Sequence, residues 1–270
     1  MMEKVFGYYS AKGLDVFVVL LIKCGFGVGK LKKVFAYNWK IRNKDKPLDV
    51  VYHDLKLRIY PNDNTIESRI LFSSKLREKI ELQSIKDQIK NGGVFVDIGA
   101  NVGYYSLMAA KYGATKVVAI EPNPIVLNRF KDNIKFNGYD KVITPLQIGV
   151  GESKGTLELT VCNTDMGSSS VVNKKLSGEK IRIDILPLYE LMKREKIKAI
   201  DALKIDIEGM EDKALFPYFE KIDKSNYPKL IVIEDSSQQI WDKNILEWML
   251  DNGYRVLTRT RGNIVITTNP

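Results

Sequence analysis

The stretch Val94-Phe95-Val96-Asp97-Ile98-Gly99-Ala100-Asn101-Val102-Gly103 decides the fold. Val94 to Ile98 is a short, continuous apolar run, the pattern of a strand buried on both faces. It delivers Asp97 to its carboxyl end, and a turn containing Gly99 and Gly103 follows. Tyr104 to Tyr112 then reads as a helix. In doubly wound sheets, ligands bind beyond the carboxyl ends of the strands. The glycines let the backbone approach a ligand and the helix pack close to its strand. Asn101 tolerates an unusual backbone conformation or can donate a hydrogen bond to the ligand.

The same βα rhythm extends outward. Lys116 to Glu121 reads as a second strand, and Pro124 to Asn137 as a helix with proline suited to its first turn. Val142 to Val150 supplies a third strand. Gly155 to Val161 and Lys180 to Ile185 form an inserted hairpin flanking the loop Gly167-Ser168-Ser169-Ser170. A helix from Pro187 to Lys196 precedes the strands Ala202–Ile207 and Leu230–Glu234. A helix from Trp241 to Asn252 and a hairpin of Tyr254–Thr258 and Asn263–Thr267 close the chain. Upstream, Ser74 to Asn91 has helical spacing and stops at Gly92-Gly93. Val50 to Tyr60 reads as a β-hairpin carrying His53 as an exposed residue. The pattern predicts an α/β fold, a parallel sheet with helices on both faces.

Composition narrows the function. With 44% hydrophobic and 28% charged residues over 270 positions, wholesale disorder and fibrous folds are excluded. Cys24, Cys162 and His53 are the only cysteines and histidine, which leaves disulfide frameworks, zinc sites and Ser-His-Asp chemistry poorly supported. Both cysteines read as inert and fit a reducing, cytoplasmic compartment. The apolar run from Val16 to Ile22, ended by Lys23, is too short to span a bilayer and reads as a buried or interfacial helix. Residues 1–48 hold ten Lys/Arg and three acids, a net +7 of the chain's +9. Asn43 to Pro47 is a polar linker, so residues 1–48 are expected as a basic helical segment and 49–270 as the main domain. The basic segment is either a solvated face or a patch for anionic membrane, nucleic acid or acidic glycan; Tyr37, Trp39 and the apolar run favour membrane-surface contact among these.

Two features select the ligand. A dinucleotide pyrophosphate wants G-x-G-x-x-G without an acid in the turn, whereas here the spacing is Gly99-x-x-x-Gly103 with Asp97 just before it. A carboxylate repels a pyrophosphate but attracts an ammonium. Glu121, eighteen residues beyond Gly103, can accept both hydroxyls of a ribose. An adenosine with a positively charged tail fits both, as in S-adenosylmethionine. A rival phosphate loop, Gly25-Phe26-Gly27-Val28-Gly29-Lys30, lacks its first glycine, replaced by Cys24, and has Leu31 where magnesium needs Ser or Thr; it reads as a flexible helix end.

The segments VDIGANVGYYSL, AIEPNP and LKIDIEGME together resemble the FkbM-type S-adenosylmethionine-dependent methyltransferases, a resemblance covering roughly Val50 to Leu257. It implies a Rossmann-like seven-stranded sheet whose last two strands form an antiparallel hairpin. It implies S-adenosyl-L-methionine as cofactor, with S-adenosyl-L-homocysteine as product. It places Asp97, Gly99, Asn101 and Gly103 at the methionine end, Glu121 at the ribose, and Asn123, Gly149 and Val150 near the adenine. Glu78 matches a family glutamate, although Arg77 replaces the usual aromatic residue before it. Asp235 stands where a histidine commonly follows the acid at Glu234, so that histidine's role does not transfer. The implied acceptor is a hydroxyl on a sugar, glycan or secondary metabolite. RNA methylation through the basic segment and a non-catalytic scaffold are the alternatives.

The second constellation is Lys204-Ile205-Asp206-Ile207-Glu208-Gly209-Met210-Glu211. Strand alternation sends Lys204, Asp206 and Glu208 to one side. Asp206, on a strand beside the first, should face the transferable methyl and take or orient a hydroxyl proton. Glu208 either joins it or braces the loop. Glu211 reads as a first-turn acid favoured by the helix dipole. Glu234 ends the next strand as a substrate candidate. Asp206, Glu208 and Glu234 could instead hold a divalent cation, although the reading assigns no metal. The Gly-Ser loop and the hairpin at 52–60 are candidate lids.

Overall fold

The computed structural model describes residues 4–22, 24, 29–44, 46–73, 75–162, 165–169 and 178–268. In chain order the elements are α1 (Leu14–Leu21), α2 (Gly29–Asn43), β1 (Leu48–Tyr52), β2 (Leu55–Ile59), α3 (Thr65–Leu71), α4 (Lys79–Ile89), β3 (Val94–Ile98), α5 (Tyr104–Lys111), β4 (Lys116–Ile120) and α6 (Pro124–Asn137). There follow β5 (Ile143–Leu146), β6 (Gly149–Val150), β7 (Gly155–Cys162), β8 (Gly178–Leu186), α7 (Leu188–Arg194), β9 (Ala202–Ile205), α8 (Glu211–Lys221), β10 (Leu230–Glu234), α9 (Ile245–Asp251), β11 (Arg255–Arg259) and β12 (Asn263–Thr267).

Seven strands form one sheet in the order β11-β12-β10-β9-β3-β4-β5. The strands from β10 to β5 run parallel, and β12 lies antiparallel between β10 and β11. This is the expected Rossmann-like sheet with its closing hairpin. Side-chain alternation sorts the core into two layers. Phe95, Val117, Ala119 and Val232 pack with residues of α4, α5 and α6. Val96, Ile98, Val118, Leu203 and Ile231 pack with residues of α7, α8 and α9. α6 keeps its expected bounds because Asn123 caps it, Pro124 opens it and Gly138, at φ 69°, ends it.

Four boundaries differ from expectation. The third strand does not run to Val150. β4 ends at Ile120, so the chain leaves the sheet after Leu146, and Gly149–Val150 pairs with β8 in a separate three-stranded sheet. The helix expected from Ser74 begins at Lys79: the Tyr52 hydroxyl donates to the Lys75 carbonyl at 2.6 Å and accepts from Arg77 N at 3.2 Å, tying that segment to the hairpin. Ser74 lies outside the described residues. The strand from Ala202 stops at Ile205 because the chain turns at Glu208 (φ 55°) and Gly209 (φ 99°). The last helix starts at Ile245, where Asn244 accepts from Glu247 N.

The N-terminal segment is tied to the main body across residue 48. Asp49 accepts from Gly7 N and Tyr9 N, and pairs with buried Arg58 at 2.8 Å. Arg58 also donates to the carbonyls of Lys4 and Val5. Trp39 of α2 is buried. Residues 25–28 of the glycine run lie outside the described residues. Among the described residues, no helix is long and apolar enough to cross a membrane.

Candidate active site

A cavity of about 520 Å³ opens beyond the carboxyl ends of the central strands, within the range of small-ligand sites. Gly99 and Asn101 line it from the β3–α5 turn, Glu121 from the end of β4, Asp206 and Glu208 from the loop after β9, and Glu234 from β10. Glu78, Gly149 and Val150 also line it. Asp97, Gly103 and Asn123 do not reach the wall. Asp97 is fully buried behind it, Gly103 packs against the Phe130 ring, and Asn123 caps α6. Asp97, Gly103 and Asn123 thus lie behind the residues that line the cavity.

The turn is held by Glu121. Its Oε2 accepts from Asn101 N and its Oε1 from Asn123 N, both at 2.9 Å. Each oxygen keeps a second lone-pair direction. Burial pushes this carboxyl up to about 7, against the pull of those two N–H groups. Asn101 sits at φ 52°, the left-handed conformation its side chain tolerates, and its Oδ1 accepts from Val102 N and from Asn64 Nδ2. Gly99, at φ 74°, packs so tightly that a Cβ would lie 1.9 Å from the Asp206 carbonyl oxygen.

Behind the turn lies a buried charge cluster. Lys204 Nζ donates to the Gly99 carbonyl at 2.9 Å and sits 3.4 Å from Asp206 and 3.9 Å from Asp97. Burial opposes its charge, but Asp206 and Asp97 outweigh burial and hold its pKa above the usual lysine value. Asp97 accepts from Ser106 Oγ at 2.6 Å through Oδ2, while its buried Oδ1 has no hydrogen-bond partner. Burial raises its pKa. Tyr105 Oη and Glu234 Oε2 are likewise buried at the cavity without partners.

Glu208 reaches the cavity through its left-handed backbone rather than strand alternation. Burial first, and the charge of Asp206 second, push it up to about 7; the same two causes push Glu234 to about 7. Glu211 does more than sit in a first turn. Fully buried, it accepts from Ile207 N, Gly209 N and Trp241 Nε1, which fixes the loop that carries Glu208.

Residues outside the expected set complete the wall. Asp165 accepts from Thr65 N and from Gly167 N, so the segment 165–169 is latched to the start of α3. Met166 N donates to the Asp63 carbonyl at 2.7 Å. Gly167 and Ser169 of the Gly-Ser loop line the cavity; Ser170 lies outside the described residues. Arg69 lines it as well. Asn64 caps α3 by accepting from Ile66 N and Glu67 N, whereas nothing local marks Asp165. The hairpin of β1 and β2 is not a lid: Arg58 N and Lys56 N donate to Asn133 and Asn137 of α6, and no hairpin residue lines the cavity. His53 and Asp54 form its tight turn at φ 47° and 64°, and His53 is half-buried against Tyr52 rather than exposed. Among the described residues, no group of three or more His, Cys, Asp or Glu is placed to hold a metal ion.

The buried carboxyls predict an unusual stability profile. Burial pushes Glu67 up to about 8, against the pull of Arg129, which also binds both oxygens of Asp63. Glu121, Glu208 and Glu234 are raised to about 7. Each folded pKa exceeds the unfolded value near ~4.3, so this stabilisation is full below that value and is lost as pH rises through 7 to 8. Thermal melts of the ligand-free chain should show the midpoint falling between pH 6 and 9 by at least roughly 3 °C. Glu67→Gln should flatten that fall; a midpoint that rises over this range contradicts it.

A family model described as the methyltransferase FkbM domain matches residues 97–256. Methyltransferase sdnD of Sordaria araneosa is 30% identical over 146 residues, which cover 43% of this chain and 56% of that protein. Ribosomal protein L11 methyltransferase of Anoxybacillus flavithermus is 33% identical over 66 residues, 24% of this chain and 21% of that protein. The chain thus spans little more than half of the first relative's length and about a fifth of the second's. Among solved structures, methyltransferase FkbM from Methylobacillus flagellatus is 18% identical, with 94% of this chain and 59% of that chain covered and a TM-score of 0.45.

Proposed function

Because the chain belongs to the FkbM methyltransferase family, we propose that it transfers the methyl group of S-adenosyl-L-methionine to a hydroxyl oxygen of a sugar, glycan or secondary metabolite. The observation that carries this reading is the division of one cavity by strand order. Glu121 follows β4 on one side of β3, while Asp206 follows β9 and Glu234 ends β10 on the other. The ribose would take the free lone pairs of Glu121. The adenine would lie against the apolar wall of Val150, Leu157, Leu159, Ile183 and Ile185. The unpartnered Tyr105 Oη and the Lys204 cluster suit the polar amino-acid end. When bound, the cofactor supplies a methyl group already activated by its sulfonium.

The chain's remaining task is to hold the acceptor in line and to take its proton. Asp206 can orient the acceptor hydroxyl. Glu208, held at about 7, is matched to accept a proton near neutral pH. Glu234 can bind a neighbouring hydroxyl. Asp206, with the partly ionised Glu208 and Glu234, leaves the acceptor side acidic, which favours a neutral polyol over the phosphodiester of RNA. A non-catalytic scaffold would have no use for them.

Two experiments follow. Ribose hydroxyls bind the ionised Glu121, so cofactor affinity should rise about tenfold from pH 6 to pH 8; calorimetry at both values checks it, and a fall contradicts it. For the acceptor, the chain is incubated with methyl-radiolabelled cofactor and, in parallel, a polysaccharide extract and total RNA. Label in the polysaccharide fraction supports the reading. Label in RNA alone overturns the acceptor, and label in neither fraction, with no small-molecule product, overturns the transferase.

A further inference from the structure

We infer that the N-terminal helices form a docking surface for an anionic lipid membrane, a property beyond the methyl-transfer reading. α1 shows one face to the body of the protein, where Val18 and Ile22 are buried. Its opposite face carries Val16, Phe17 and Leu20, each about half exposed, and no charge, and Leu14 is exposed at the start of the helix. Such an apolar face normally packs against the rest of a protein, yet among the described residues these side chains stay about half exposed. α2 repeats the arrangement at helical spacing. Val34, Tyr37 and Ile41, exposed at 54%, 68% and 55%, form a stripe, with exposed Lys40 and Arg42 beside it. Arg42 pairs with Asp15 at 2.6 Å, which joins the two helices and removes an acid from the surface.

Charge selects the occupant. Residues 1–48 carry +7, and Lys12, Lys40, Lys44 and Lys46 are exposed. An apolar face flanked by lysines lies in the headgroup boundary, with its aliphatic side chains in the acyl layer and its cations among anionic headgroups. A second copy of this surface would bring like charges together. RNA is a poorer match: nine of the ten cations are lysines, the one arginine is engaged with Asp15, and the exposed face is mostly aliphatic rather than a base-stacking platform.

The test is co-sedimentation of the full chain with vesicles of phosphatidylcholine, with and without phosphatidylglycerol, at physiological salt. The surface predicts at least about tenfold stronger partition to the anionic vesicles. The double variant Phe17→Glu/Leu20→Glu alters only exposed side chains; it should lose that partition by about tenfold while its melting midpoint and cofactor affinity stay unchanged. Val34→Glu/Ile41→Glu tests α2 in the same way. Absence of vesicle binding overturns the proposal, as does equal binding to both vesicle types or by the variants. Salt-sensitive RNA binding without vesicle binding, or a dimer abolished by the variants without vesicle binding, replaces lipid with nucleic acid or a second copy.

Discussion

Replacing Glu121 with alanine should lower affinity for S-adenosylhomocysteine by about 10²- to 10⁴-fold. Two ribose hydroxyl bonds to a charged acceptor contribute ~1.5–3 kcal/mol each, and 1.4 kcal/mol is tenfold. The same carboxylate accepts from Asn101 N and Asn123 N. Alanine leaves both buried donors without their acceptor and frees the turn that carries Gly99 and Asn101. Glu121→Gln keeps the shape but offers one acceptor oxygen for two backbone donors, so it should fall between wild type and alanine. Calorimetry reads the affinity, and a thermal melt shows that the sheet survives. Affinity within threefold of wild type in the alanine variant would remove Glu121 from the ribose site.

The second large effect is expected at Asp206. Asp206→Asn should lower turnover by about 10²-fold or more, the cost of misplacing the acceptor hydroxyl that Asp206 orients toward Glu208, with cofactor affinity changed only a few-fold. Lys204 keeps Gly99 O and Asp97 as partners, so the turn stays anchored. A purely structural role would not change the pH profile, but this substitution should. The charge of Asp206 helps to raise Glu208 and Glu234 to about 7, second only to burial. Removing it should move the acid limb of the residual rate to lower pH. Wild-type turnover, or an unmoved acid limb, would contradict the assignment.

Much of the sheet was legible because its signals are local. β3 and β10 are apolar runs with a single acid each, Asp97 and Glu234, toward their carboxyl ends, and α6 carries its own cap, proline and terminal glycine. The cavity's position followed from the strand-end rule. Long-range effects set the remainder. Where β5 leaves the sheet depends on where its neighbour β4 ends. The start of α4 depends on Tyr52, far back in the hairpin. Glu208 enters the cavity through a left-handed backbone that alternation cannot foresee, and Glu211 stabilises that loop through Trp241, thirty residues away. Asp97 shows the limit most clearly. Its place at the strand end was readable, but its full burial beside Ser106 and Lys204, from α5 and β9, was not. Asp165, which latches 165–169 to α3, lies a hundred residues from Thr65 and has no signature of its own.

The central claim is that this cavity holds an adenosine carrying a charged amino-acid tail. Calorimetric titration of the full chain with S-adenosylhomocysteine, with NAD as the control, tests it most directly. The predicted result is one site of about micromolar affinity for S-adenosylhomocysteine and no heat from NAD. Binding of NAD with equal strength, or no binding of S-adenosylhomocysteine, would contradict it.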